Sequence, residues 1–457
     1  MTRLSTKPTF ASIQAELADP DYKVRKVAIK KLMRYQRPYA LEPLLGLLGD
    51  ARGDVRSKVV EALGRLADKR ALVPLLGLLN DKNMSVRAKV AGALGNFGER
   101  SAVQPLHDLF NDSQPLVRRA VARSLGRLRD PGSLPLLLAY LEKADDADIH
   151  YVVLTLGDFD MPCVIEPLLA LCEHAQWVQG TVASALSKLG ESATPTLVEI
   201  MLDQERTPMV RSCVALACGI KWRSGVVQPL IAVLADRAAT VRQFAARSLG
   251  SLKNPAAIEP LTRMLPDSDE GVSCAVIYAL LQLNATTATD AVIACLASPH
   301  EYVVYTAANA LRQFKATSAV PVLLDILCRS EGNFNWPLAR ALSELGSPAL
   351  VDEILRHLPE IGHMQLKYVI AILCSFADKR AVEPLLTLLA VYPVTDSHDY
   401  HLQVELVSLL GKLGDERACE PLRQMLSVQT ERGVLRDTLI SALKKLEAAQ
   451  RQATMPG

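Results

Sequence analysis

Residues 54–81 read DVRSKVVEALGRLADKRALVPLLGLLND, and nearly the same phrase returns at 85–112 as SVRAKVAGALGNFGERSAVQPLHDLFND and at 240–267 as TVRQFAARSLGSLKNPAAIEPLTRMLPD. A sequence that repeats itself at a fixed interval is built from one supersecondary unit used many times. Aligned on the arginine of the VR pair, equivalent positions fall at Arg25, Arg56, Arg87, Arg118, Ile149, Gln179, Arg211, Arg242, Ser273, Val304, Asn335, Leu366, Gln403 and Arg436. These fourteen anchors are 30 to 33 residues apart, except for one step of 37 before Gln403.

Within each repeat the apolar residues recur at three and four spacing in two short blocks, the pattern of two amphipathic helices. Pro43, Pro74, Pro105, Pro167, Pro260 and Pro384 fall at the start of the leading block, where a missing backbone donor costs nothing. Gly64, Gly95, Gly126, Gly250 and Gly411 follow the Ala-Leu, Ser-Leu or, at Gly411, Leu-Leu pair of the second block; they are expected to let adjoining turns pack closely and to help end that helix. A lone helical hairpin cannot bury its apolar face, so the hairpins must stack. The expected fold is all-α, an α-solenoid of about fourteen two-helix repeats in a right-handed superhelix. It is expected as one body over 1–457, with repeats at about 10–447 and a short flexible tail at 448–457.

Composition agrees with helix: hydrophobic residues make up 49% of the chain but aromatic residues only 5%. The nine cysteines include no Cys-x-x-Cys pair and are scattered singly, as reduced thiols in a cytoplasmic protein would be. The first residues, MTRLSTKPTFASIQAEL, lack the apolar core of a secretion signal, and the uncharged stretch near 271–289 is interrupted by Ser273, Gln282 and Asn284. No membrane span is expected, and the location is expected to be cytoplasmic.

The phrase DxxxxVRxxAxxALGxL resembles HEAT repeats, in particular the short bacterial type found in phycobilisome lyases, and the resemblance extends over about residues 10–447. It implies a non-catalytic scaffold or assembly factor that binds protein on a concave face lined by the second helices. The alternative it implies is a bilin lyase-like protein, which would bind a tetrapyrrole and deliver it to a phycobiliprotein.

Six residues before the anchor stands an acid wherever the anchor is arginine, at Asp19, Asp50, Asp81, Asp112, Glu205 and Asp236, with Thr430 as the exception. Constant spacing predicts an acid-to-arginine bond inside each repeat, with Arg118 paired to Asp112. Arg119, Arg123 and Arg127 lie on the helix face opposite Val117, Val121, Leu125 and Leu128, and they are expected to be free for a partner. The same face offers Lys26, Lys30, Arg34, Lys58, Arg65 and Lys89. Residues 1–130 carry 24 basic and 13 acidic side chains, whereas residues 131–210 carry 3 and 12. This basic ridge predicts a protein partner with an acidic surface. It lacks interleaved aromatics for base stacking and adjoins an acidic section, both of which argue against nucleic acid.

From Ser273 to Gln403 the anchor arginine is lost, and the positions expected on the surface gain Tyr278, Tyr305, Asn309, Trp336, Arg340 and Tyr368. Rings and amides together suit a peptide or a flat organic ligand. Chemistry is harder to find. His300-Glu301 is a single dyad where di-iron HEAT-type enzymes need several, and His398, His401, Asp396 and Asp399 are read as an ordinary polar loop rather than a metal site. The stretch SEGNFNWP before Leu338 reads as a longer turn. No catalytic residue, cofactor or metal is expected.

Overall fold

Val55, Val59, Val60 and Leu63 place one apolar stripe on the segment Gly53–Leu66, which is helical along its length and buries all four. The same logic holds throughout the computed structural model, which describes residues 8–35, 37–141, 144, 146–221, 225–329, 335–358, 361–391, 397–428 and 433–454. All fourteen anchor positions fall within helices, each in a separate one. Among the described residues there is no strand, and no helix is long and apolar enough to cross a membrane. The architecture is an α-solenoid.

Two compact bodies make up the chain, Met1–Pro229 and Leu230–Gly457. In the first, short leading helices such as Leu41–Gly46, Leu72–Leu76 and Val103–Leu109 alternate with longer second helices, Gly53–Leu66, Met84–Phe97 and Pro115–Leu128. In the second body the pairs include Ile258–Arg263 with Glu270–Gln282, Val320–Arg329 with Asn335–Leu345, and Val382–Val391 with Ser397–Leu413. Within each body successive second helices pack on one another, and their Leu63, Leu94, Leu125, Leu249 and Leu311 are wholly buried. The last helix, Val434–Thr454, runs on past residue 447.

Most leading helices, among them Leu41–Gly46, Leu72–Leu76, Val103–Leu109 and Ile258–Arg263, are entered through a single 3-10 turn, and the prolines sit in the first helical turn as expected. The glycines do something narrower than expected. A Cβ on Gly64 would stand 2.8 Å from Ala93 Cβ, on Gly95 2.7 Å from Ser124 Cβ, and on Gly411 2.6 Å from Ala442 Cβ. They are points of contact between consecutive second helices and lie inside those helices. After Gly64, Gly95, Gly126, Gly250 and Gly411 termination falls three residues later, on left-handed Ala67, Gly98, Arg129, Lys253 and Gly414, and Lys315 and Ala377 take the same conformation where no such glycine precedes them. Each non-glycine there accepts a cost of roughly 1–2 kcal/mol, offset by the packing of the hairpin it closes.

The polar loop expected around His398 is largely helix, because Ser397 already begins Ser397–Leu413 and His401 lies in its second turn. Asp396 lies outside the described residues, as do the side chains of His398 and Asp399. Asn335, Trp336 and Pro337 open the helix Asn335–Leu345 and are not part of a turn; residues 330–334 lie outside the described residues.

Candidate functional site

The recurring geometry of the first body is set by its anchor arginines. Arg87 donates from Nη1 to the backbone carbonyl of Asp81, six residues before it, at 2.7 Å. Its Nε and Nη2 fork onto the carboxylate of Asp112 in the following repeat, at 2.7 and 3.0 Å. Arg25 does the same with Asp50, and Arg56 with Asp81, and in the second body Arg242 pairs with Asp267. The expected bond within one repeat is therefore corrected: the arginine takes only a carbonyl from its own turn and gives its bidentate bond to the next. Each receiving carboxylate also accepts the backbone N–H two residues on, as Asp112 does from Gln114. That acceptance fixes the turn in which the next second helix begins.

Arg118 breaks the register, because no acid stands six residues before Ile149. It pairs instead with Asp148, which is buried and accepts from Arg118 Nη2 at 2.7 Å, Tyr140 Oη at 2.6 Å and Arg119 Nε at 2.8 Å. Burial raises the Asp148 carboxyl, but the bonds from Tyr140, Arg119 and Arg118 outweigh it and hold the group below the usual carboxylate range. Burial, reinforced by the bond to Asp148, pushes Tyr140 up to about 12. Arg119 is thus engaged rather than free.

The remaining basic positions are brought together. Consecutive second helices Gly53–Leu66, Met84–Phe97 and Pro115–Leu128, with Tyr151 from Asp146–Asp158, enclose a groove of about 400 Å³. Arg65, Lys89, Arg119, Arg123 and Arg127 line it, facing one carboxylate, Glu61. A smaller recess of about 290 Å³ shares Glu61 and Arg65 with it and adds Lys30, Arg34 and Lys58. Lys26 lies apart, its ammonium over the Tyr22 ring.

Charge in the groove is graded. Glu61 accepts from Lys58 and Arg65 at 3.1 Å and stands 3.6 Å from Lys89. Arg127 donates to the amide oxygen of Asn96. Arg123 has no carboxylate partner among the described residues; its guanidinium lies 5.9 Å from the Tyr151 ring, and that of Arg119 lies 5.2 Å away on the same ring. Stacking on one aromatic orders two planar cations while leaving hydrogen-bond donors unspent. Sequence reasoning found the arginines but missed Tyr151, Asn96 and Glu61. The signal was available, because these residues stand two, nine and five places after their own anchors, in the register of the ridge.

The aromatic positions of the second body divide into separate places. Trp336 and Tyr368 line one groove of about 680 Å³. Tyr305 stacks on Tyr302, with centroids 5.9 Å apart and planes inclined by 7°, and Tyr278 is partly exposed, its hydroxyl held above the usual range chiefly by desolvation. Asn309 accepts from Arg312, and both Arg312 and Arg340 are neutralised by Glu344. His300 pairs with Glu270 of the preceding repeat at 3.2 Å. Among the described residues no cluster of three His, Cys, Asp or Glu side chains could hold a metal ion. A larger groove of about 810 Å³, walled by Phe10, Leu17, Tyr39 and Leu47, contains one cation, Arg70, which is paired with Asp68 at 2.7 Å.

The repeat geometry and the anchor pattern meet in a known family: HEAT repeats match residues 11–85, 74–152 and 227–308. The chain carries HEAT repeats. Solved structures to which this HEAT-repeat chain is similar include Kap121p bound to Pho4p, at 16% identity and a TM-score of 0.48, covering 96% of this chain and 57% of that one. The Kap95:Nup1 complex is similar at 12% identity and a TM-score of 0.46, covering 96% of this chain and 77% of that one. The HEAT-repeat chain thus spans somewhat over half the length of Kap121p. No curated protein matches it.

Proposed function

We propose that this HEAT-repeat chain is a non-catalytic protein-binding scaffold whose first body captures an acidic segment of another protein along its second-helix face. The observation that carries the proposal is the groove between Arg65 and Arg127, where five cations meet a single carboxylate and two guanidiniums are held on Tyr151. Arg123 and Arg127, which have no carboxylate partner among the described residues, favour carboxylate acceptors, since the fork matches that group in two places and the contacts to Tyr151 and Asn96 leave little side-chain entropy to be lost. The smaller recess shares Glu61 and Arg65 with the groove, so an extended chain could run along consecutive repeats. A lining this charged suits an acidic chain better than a largely apolar tetrapyrrole, which favours the scaffold over the bilin-lyase reading.

The test is fluorescence anisotropy with a labelled Asp/Glu-rich peptide. Binding should weaken steeply as salt rises, and the combination Lys89→Glu, Arg123→Glu and Arg127→Glu should abolish it. The pair Lys444→Glu and Lys445→Glu, on the last helix, should leave affinity unchanged. Equal losses from the two sets would reduce the groove to general electrostatic attraction and sink the proposal.

A further inference from the structure

Repeat positions that carry arginine in the first body carry aromatic and small residues in the second, and this exchange builds a different kind of site. Trp336 stands one residue after its anchor, the place held by Arg119 in the basic groove. Ala371 and Ser408 stand five after theirs, the place of Arg123. Two consecutive short side chains leave the surface hollow, and a groove of about 680 Å³ opens across the helices Asn335–Leu345, His363–Phe376 and Ser397–Leu413. That volume lies within the range of small-molecule sites, roughly 300–1,000 Å³.

The lining is chemically specific. Trp336 is 60% exposed, a large ring left in water at the edge of the groove, with Tyr368 beside it. Val404 and Ala371 supply apolar contact between them and the far end. Lys367 and Lys412 line the same groove, and neither has a carboxylate partner among the described residues. The Lys367 ammonium instead lies 4.8 Å from the Tyr368 ring centroid. By contrast Arg340, on the Trp336 helix, is already paired with Glu344 at 3.1 Å. Glu405 is the one acid of the lining, and desolvation by the groove walls pushes its carboxyl above the usual range, against the pull of Lys367 and His401.

We infer that this groove is a binding site for a small planar aromatic anion, its ring stacked on Trp336 and Tyr368 and its charge met by Lys367 and Lys412. Ring stacking and cation pairing are both available at once, and neither requires a side chain to break an existing ion pair. The site lies wholly in Leu230–Gly457 and does not depend on the acidic-partner reading of the first body.

The test uses 1-anilinonaphthalene-8-sulfonate as the planar anion and N-phenyl-1-naphthylamine as its uncharged counterpart, followed by fluorescence titration of the full chain. One sulfonate probe should bind per chain, and Trp336→Ala with Tyr368→Ala should weaken both probes at least tenfold. Lys367→Gln with Lys412→Gln should weaken the sulfonate alone to a similar degree. Because these side chains stand on the surface, unchanged thermal melting will show that each variant is folded. Unchanged sulfonate affinity in either pair of variants, or equal loss of both probes in the lysine pair, overturns the assignment.

Discussion

Arg87 reaches past its own turn and closes on Asp112, 25 residues along the chain, with both carboxylate oxygens engaged and the side chains 15% and 7% exposed. What it takes from Asp81 is the backbone carbonyl alone. The ion pair is therefore a tie between neighbouring repeats, and the carbonyl bond is the tie within one.

A double-mutant cycle separates the two. Arg87→Ala and Asp112→Ala should show a coupling of about 0.5–3 kcal/mol in urea unfolding, as contacting pairs do. Arg87→Ala and Asp81→Ala should be closer to additive, since the Asp81 carboxylate belongs to Arg56. Coupling of equal size in both cycles contradicts the assignment.

Asp148 is the most heavily committed carboxylate of the first body, holding Arg118, Arg119 and Tyr140 from a buried position. Asp148→Asn should cost about 3–5 kcal/mol, the usual consequence of leaving buried charge uncompensated. Arg123→Ala, which removes a guanidinium with no carboxylate partner among the described residues, should shift unfolding by under about 0.5 kcal/mol. A melting comparison of the two variants decides the point.

The receiving carboxylates give stability a pH dependence of known sign. The fork from Arg87 holds Asp112 low; burial pushes Asp50, Asp81 and Asp267 up, but their arginines outweigh it, so all four lie below the ordinary carboxylate value. A group whose folded pKa is depressed contributes its full stability above the unfolded value, roughly pH 4. That contribution is lost as pH falls through the folded value. Urea midpoints should be level above that pH and drop below it, with a smaller drop for Asp112→Asn.

Two glycines on one helix should respond in opposite directions. A Cβ on Gly95 would meet the Ser124 backbone at 2.8 Å, whereas one on Gly92 would meet nothing within 4 Å. Gly95→Ala should destabilise by about 1–3 kcal/mol through overpacking. Gly92→Ala should stabilise by roughly 0.5–1 kcal/mol, because it reduces the backbone freedom lost on folding. Thermal unfolding of both variants reads the difference directly.

The fold was legible because the period of the sequence is the period of the structure, and each anchor from Arg25 to Arg436 does fall in its own helix. The pairing was not legible, for a reason of arithmetic. Where repeats are 31 residues long, an acid six before one arginine is the same residue as the acid 25 after the previous one, as Asp81 is for Arg87 and Arg56. Spacing cannot separate these descriptions; only the path of the guanidinium does. The basic groove was half legible. Its cations follow the repeat register, but Asp148 draws in Arg119 because the acid expected ahead of Ile149 is missing, a local substitution that no periodic argument anticipates. In the second body the positions of Trp336 and Tyr368 were readable, while the hollow between them comes from what Ala371 and Ser408 lack.

Because every tie runs from an arginine to the repeat that follows, the array has a direction, and its cut ends are unequal. A fragment severed after the Arg56 repeat would carry a stranded cation at its tail, and the piece beginning there would carry a stranded Asp81 at its head. At Ser273 the anchor hydroxyl turns inward instead, bonding the backbone N–H and carbonyl of Asp267 at 3.1 Å each, while Asp267 still receives Arg242. That repeat takes from its predecessor without reaching onward, as the Ile149 repeat does in the first body, which makes it a place where a shortened array could stop without leaving an arginine unanswered.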